Sequence, residues 1–131
     1  MKWHLPGAVF IAFSQMATAQ SPCESTLSQD EINACYEHLA SNIDQGLARE
    51  LSDYSKRLSP NQQEQLLAAQ ESWEKYREAE CAFEASGARG AVNYSEVNAR
   101  CRILVTRTRI QLLGRLQYCE VGPLPCPAPW Q

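Results

Sequence analysis

The chain has 131 residues, a formal net charge of −3, six cysteines and two histidines. A mildly acidic balance argues against a nucleic-acid surface, which favours basic faces. No CxxC pair is present, so zinc, haem-attachment and thioredoxin-like motifs have no support, and no cofactor or metal is expected.

Residues 1–19 read as an export signal: Lys2, an apolar run from Leu5 to Phe13, then the small-x-small cleavage site Ala17-Thr18-Ala19. The run is well short of the roughly 18–20 apolar residues of a membrane span. Cys23 follows Ser21-Pro22, which is not a lipid-attachment box. The expectation is a mature protein starting at Gln20, periplasmic or secreted, with no membrane span. Its His38 is then the sole histidine, and its length suits one domain, residues 20–118, followed by a tail, 119–131.

The mature sequence predicts helices almost throughout. Ser28 and Glu31 form a capping box, and apolar residues recur at Ile32, Tyr36, Leu39, Ile43, Leu47, Leu51, Tyr54 and Leu58. Gly46 is a possible bend in this first helix. Ser59-Pro60 caps a second helix, expected to reach Ser86 and stop at Gly87. After the loop "GARGAVNY", a third helix starts at Ser95, with Val97, Cys101, Leu104, Thr108, Leu112 and Leu116 expected to face inward. The tail "CEVGPLPCPAPWQ" has four prolines and cannot continue a helix. The fold class is therefore all-α: a small antiparallel three-helix bundle stapled by disulfides, with an irregular Pro-rich tail.

An even cysteine count in an exported chain reads as disulfides. Cys81 lies six residues before Gly87 and Cys101 six after Ser95, so a helical hairpin brings them opposite one another. Local bridges Cys23–Cys35 and Cys119–Cys126 are the economical remainder. A Cys35–Cys81 bridge stays open as an alternative, because both cysteines fall at one end of the bundle.

The stretch "QESWEKYREAEC" puts Gln70, Trp73, Tyr76, Arg77 and Cys81 along one helical face. Such a face could be a ligand pocket, a redox site or a polar piece of core. The Cys81–Cys101 register sets Leu66 opposite Leu116, Gln70 opposite Leu112, and Trp73 opposite Arg109. It sets Tyr76 and Arg77 against Thr106 and Val105. A guanidinium on the indole is then expected, with Arg77 served by Glu74, Glu80 and Glu84 of its own helix. Two readings follow: a structural polar seam, or a partly exposed aromatic–arginine cluster that touches a partner. No Ser/His/Asp set, phosphate-cradling loop or free thiol supports catalysis, so the chain is read as no enzyme.

"NAC", "LLAAQESWEKYREAEC", a glycine loop and "CRILVTRTRIQLL", in that order, resemble the LprI-type lysozyme inhibitor family. The match rests on Gln70, Trp73, Tyr76, Arg77 and Cys81, then on Cys101, Thr106, Arg109 and Leu113. Arg89-Gly90-Ala91 stands where that family carries a Gly-Gly-Ser-like loop. The resemblance implies a disulfide-stapled exported domain that binds lysozyme or another peptidoglycan hydrolase and blocks it. Arg89, Gly90 and Tyr94 are the candidate partner contacts, because a glycosidase cleft carries carboxylates that an arginine can approach. The alternatives are a periplasmic binding or immunity module for another cell-wall hydrolase or toxin, and a structural envelope protein.

Overall fold

The computed structural model describes residue 23, residues 27–117 and residues 126–127 of the chain. The expected signal segment, most of the tail and, with Cys119, the expected Cys119–Cys126 bridge lie outside these residues.

Three helices account for nearly all of the described chain. The first, α1 (Gln29–Ser55), starts at Ser28, whose backbone N–H donates to Glu31 Oε2 at 2.7 Å while its hydroxyl accepts from the Glu31 N–H. Gly46 does not interrupt it; Leu47 and Tyr54, both buried, hold the following turns in place. The second helix, α2 (Pro60–Glu84), begins with the same reciprocal cap, made by Ser59 and Gln62. It gives way to a 3-10 turn, Ala85–Ala88, two residues earlier than the expected end at Ser86. The third, α3 (Tyr94–Gln117), starts one residue before the expected Ser95.

The central element is α3, which packs against both other helices, while α1 and α2 touch each other little. Charge matches this order. Five arginines and one glutamate lie on α3, against six acidic residues and one arginine on α1, and six acidic residues and two cations on α2. A basic helix thus sits between two acidic ones. Contacts between α2 and α3 run in reverse chain order, from Gln70 with Arg109, through Arg77 with Thr106, to Cys81 with Cys101. Contacts between α1 and α3 run in the same order, from Gln29 with Glu96 and Glu37 with Arg102 to Glu50 with Gln117.

Two apolar clusters make the core. Cys23, Tyr36, Ala40, Ala99 and Ile103 form one, and Leu47, Tyr54, Leu58 and Leu113 the other, with Leu66 and Trp73 of α2 packed on it. Both expected bridges among described cysteines are present, Cys23–Cys35 and Cys81–Cys101, and Cys35–Cys81 is thereby excluded. Cys23 is completely buried, so the first bridge sews the chain preceding α1 into the core. At the other end, Gln62 Nε2 donates to the Pro127 carbonyl at 2.8 Å and ties the tail to the start of α2.

The inward face expected for α3 needs correction. Cys101 is buried and Val97 and Leu116 are half-buried, but Leu104, Thr108 and Leu112 are exposed. The buried residues are Ala99, Cys101, Ile103, Thr106, Leu113 and Gln117. Helical periodicity marks a single apolar stripe, whereas a central helix needs two contact faces. Small and polar residues (Ala99, Thr106, Gln117) fill the close approach to α1, so hydrophobicity alone points to the wrong stripe.

Candidate functional site

The aromatic–arginine face resolves into a polar layer between the two apolar clusters. Asp44 of α1 is its hub. Its Oδ1 accepts from Arg77 Nη1 at 2.7 Å and from the Thr106 hydroxyl at 3.3 Å, and its Oδ2 accepts from Arg102 Nη2 at 3.2 Å. Arg77 Nη1 also donates to the Thr106 hydroxyl at 3.0 Å. All three helices therefore meet at one carboxylate. Arg102 reaches a second α1 carboxylate, Glu37, at 3.0 Å.

Trp73 carries two guanidinium groups, with Arg77 Cζ 4.9 Å and Arg109 Cζ 5.8 Å from a ring centroid. Arg77 Nε has no hydrogen-bond acceptor among the described residues, in keeping with a guanidinium held over a ring face. Arg109 Nε donates to Gln70 Oε1 at 3.2 Å, and burial lowers the pKa of its guanidinium. The expected Trp73–Arg109 pairing is present. Gln70, set opposite Leu112 by the register, takes its hydrogen bond from Arg109 one turn away. One expectation is corrected: Arg77 pairs with Asp44 of α1 in place of Glu74, Glu80 or Glu84. Long side chains reach past their register neighbours to the nearest buried opposite charge, which a two-helix register does not contain. Gln70 is buried and Trp73, Arg77 and Arg109 are half-buried, so this layer joins helices. Tyr76 alone among the motif residues points largely to water, at 54% exposure.

The loop joining α2 to α3 is the second feature. Arg89, Gly90 and Val92 are exposed, and Tyr94 lies at 36% exposure. Gly90 has φ = 81°, a left-handed conformation that a side chain at this position would strain. Successive turns are closed by Arg89 N–H to Ser86 O, Ala91 N–H to Ala88 O and Tyr94 N–H to Ala91 O. α1 then clamps the loop from below. Asn33 Nδ2 donates to the Val92 carbonyl at 2.8 Å, and Asn33 Oδ1 accepts from the Glu96 N–H at 3.3 Å. Gln29 Nε2 bridges Asn33 Oδ1 and Glu96 Oε2, and the Ser95 hydroxyl donates to Glu37 Oε1. The Gln29 hydrogen bond, with Arg100 beside it, holds the Glu96 carboxyl below its ordinary pKa.

Asn33, Asp44, Gln29 and Glu37 were missed as site residues. Asn33 stands in the "NAC" triplet and could have been flagged as a polar residue next to a bridged cysteine. Asp44 leaves no local signal, because every partner comes from another helix. Chemically, the loop offers an exposed cation, an aromatic ring and an apolar tip on a braced backbone, which is equipment for binding a surface. Among the described residues no group of three His, Cys, Asp or Glu could hold a metal, and no helix is long and apolar enough to cross a membrane.

The model of the family "Lysozyme inhibitor LprI" matches residues 20–113. No curated protein and no solved structure matches the chain. The match covers the bridged helices, the polar layer and the clamped loop, and the chain belongs to the LprI family of lysozyme inhibitors.

Proposed function

We propose that this chain is an exported protein that docks on a lysozyme-type muramidase and blocks it sterically. The loop between α2 and α3 enters the sugar-binding cleft. Arg89 approaches the cleft carboxylates, Gly90 shapes the turn, and Tyr94 packs at the rim. What supports this reading, beside the family match, is the bracing of the loop by Asn33. A contact loop held in its bound shape avoids much of the ordering cost of association.

The test is a cell-wall turbidity assay with purified lysozyme and the oxidised mature chain. Arg89→Ala and Tyr94→Ala should each weaken inhibition by about thirtyfold, the lower edge of interface hot spots at about 2 kcal/mol. Inhibition that survives both substitutions unaltered rejects the loop as the contact. No inhibition by the parent protein rejects lysozyme as the target.

A further inference from the structure

A groove runs between α2 and α3, bordered by residues from both helices. Its volume is about 440 Å³, and its lining includes Trp73, Tyr76, Leu104 and Leu112 with Glu80 and Glu84. Tyr76 is 54%, Leu104 64% and Leu112 38% exposed. Phe83, 76% exposed, continues the Tyr76 stripe two helical turns on. Four of the eight large apolar side chains exposed among the described residues thus gather on one face. Single exposed apolar residues are ordinary, but a contiguous group in a concavity marks a binding surface.

The carboxylates say what kind of occupant fits. Glu80 and Glu84 form no ion pair or hydrogen bond among the described residues, and they sit one turn apart on α2, where like charges repel. Arg109 also lines the groove, but its guanidinium is engaged by Gln70 and Trp73. That contact leaves the Arg109 charge in place, so the lining carries two carboxylates against one guanidinium, a net negative charge, on a helix with six acidic residues and two cations. From Trp73 to Glu84 the α2 wall is about 16 Å long at helical rise, the length of three turns.

The geometry points to a second protein-binding surface: the α2–α3 groove accepts a basic amphipathic helix, its apolar residues on Tyr76, Leu104 and Leu112 and a Lys or Arg on Glu80 and Glu84. An amphipathic helix laid in a groove between two helices is a recurrent recognition mode. A second copy of this chain would bring two more carboxylates to the same interface. An anionic lipid surface would meet those carboxylates with like charge. The groove is separate from the Arg89 loop, so this inference does not rest on lysozyme inhibition.

The probe is an ~18-residue synthetic helical peptide of Leu and Lys in amphipathic pattern, titrated calorimetrically into the oxidised mature chain. Binding with 1:1 stoichiometry is expected. Leu104→Asp and the pair Glu80→Lys/Glu84→Lys should each weaken it by about tenfold or more. The pair Glu71→Lys/Glu78→Lys makes the same charge change on exposed positions outside the groove and should weaken it by less than about threefold. A Leu/Glu peptide of the same pattern should bind the parent chain weakly and the Glu80→Lys/Glu84→Lys variant better. All substituted side chains are exposed, and melting curves and lysozyme inhibition should stay at parental values. Equal losses from the two charge-reversed pairs would reduce the effect to overall charge and overturn the proposal. So would Leu104→Asp leaving the affinity within about twofold of the parent, self-association abolished by that substitution, or Leu104-dependent binding to lipid vesicles in place of the peptide.

Discussion

Replacing Asp44 by Ala removes the one carboxylate on which all three helices converge. Three donors lose their acceptor: Arg77 Nη1, Arg102 Nη2 and the Thr106 hydroxyl. Arg102 keeps Glu37, and Arg77 Nη1 keeps the Thr106 hydroxyl oxygen as an acceptor. Arg77, whose side chain is 16% exposed, keeps no anionic partner among the described residues. A hydrogen bond between charged groups contributes about 1.5–3 kcal/mol, and removing one partner of a fully buried pair costs about 3–5 kcal/mol. Asp44 retains 31% exposure, so water restores part of the loss, and about 2–3 kcal/mol is the expected cost. For a domain of this size that corresponds to a fall in Tm of about 10–20 °C. Circular dichroism melts of the oxidised chain from residue 20 onward read this directly. A double-mutant cycle with Arg77→Met isolates the Asp44–Arg77 term, expected at about 1–2 kcal/mol. A Tm within about 2 °C of the parent, or a coupling below about 0.5 kcal/mol, would refute the hub role.

Arg109→Lys keeps the charge but loses the planar group over Trp73 and the Nε donor to Gln70; a loss of about 1 kcal/mol is expected in urea unfolding. Asn33→Ala should leave the helical far-UV spectrum intact while faster amide hydrogen exchange appears at residues 92–96, with weaker lysozyme inhibition, because the loop loses its brace. The Glu96 carboxyl has its pKa lowered in the fold, first by the Gln29 hydrogen bond and then by Arg100. Its unfolded counterpart binds protons more tightly, so its contribution is complete above the ordinary glutamate pKa of about 4.3 and is lost as pH falls through the lower folded value. Glu96→Gln should therefore flatten the acid limb of the Tm–pH profile and leave its neutral plateau nearly parallel to the parent.

Local order is written into the sequence of this chain. Ser28 with Glu31 and Ser59 with Pro60 and Gln62 set two helix starts, because capping involves residues three positions apart. The Cys81–Cys101 and Cys23–Cys35 bridges were legible for a related reason: helical periodicity and loop length confine which cysteines can meet. The Trp73–Arg109 stack followed from the same register. The motif around Trp73 also carried the family resemblance, since its spacing survives without knowledge of its contacts. Only the tertiary structure decided which face of α3 is core and where Arg77 goes. Leu104 and Leu112 look like core residues in one dimension, yet the position of α1 leaves them in water and buries Thr106 and Gln117. Asp44 and Asn33 are unremarkable polar residues until other helices bring Arg77, Arg102 and the Val92 carbonyl to them. Burial and charge pairing depend on which surfaces meet across long sequence separations, and those separations are not encoded in any local pattern.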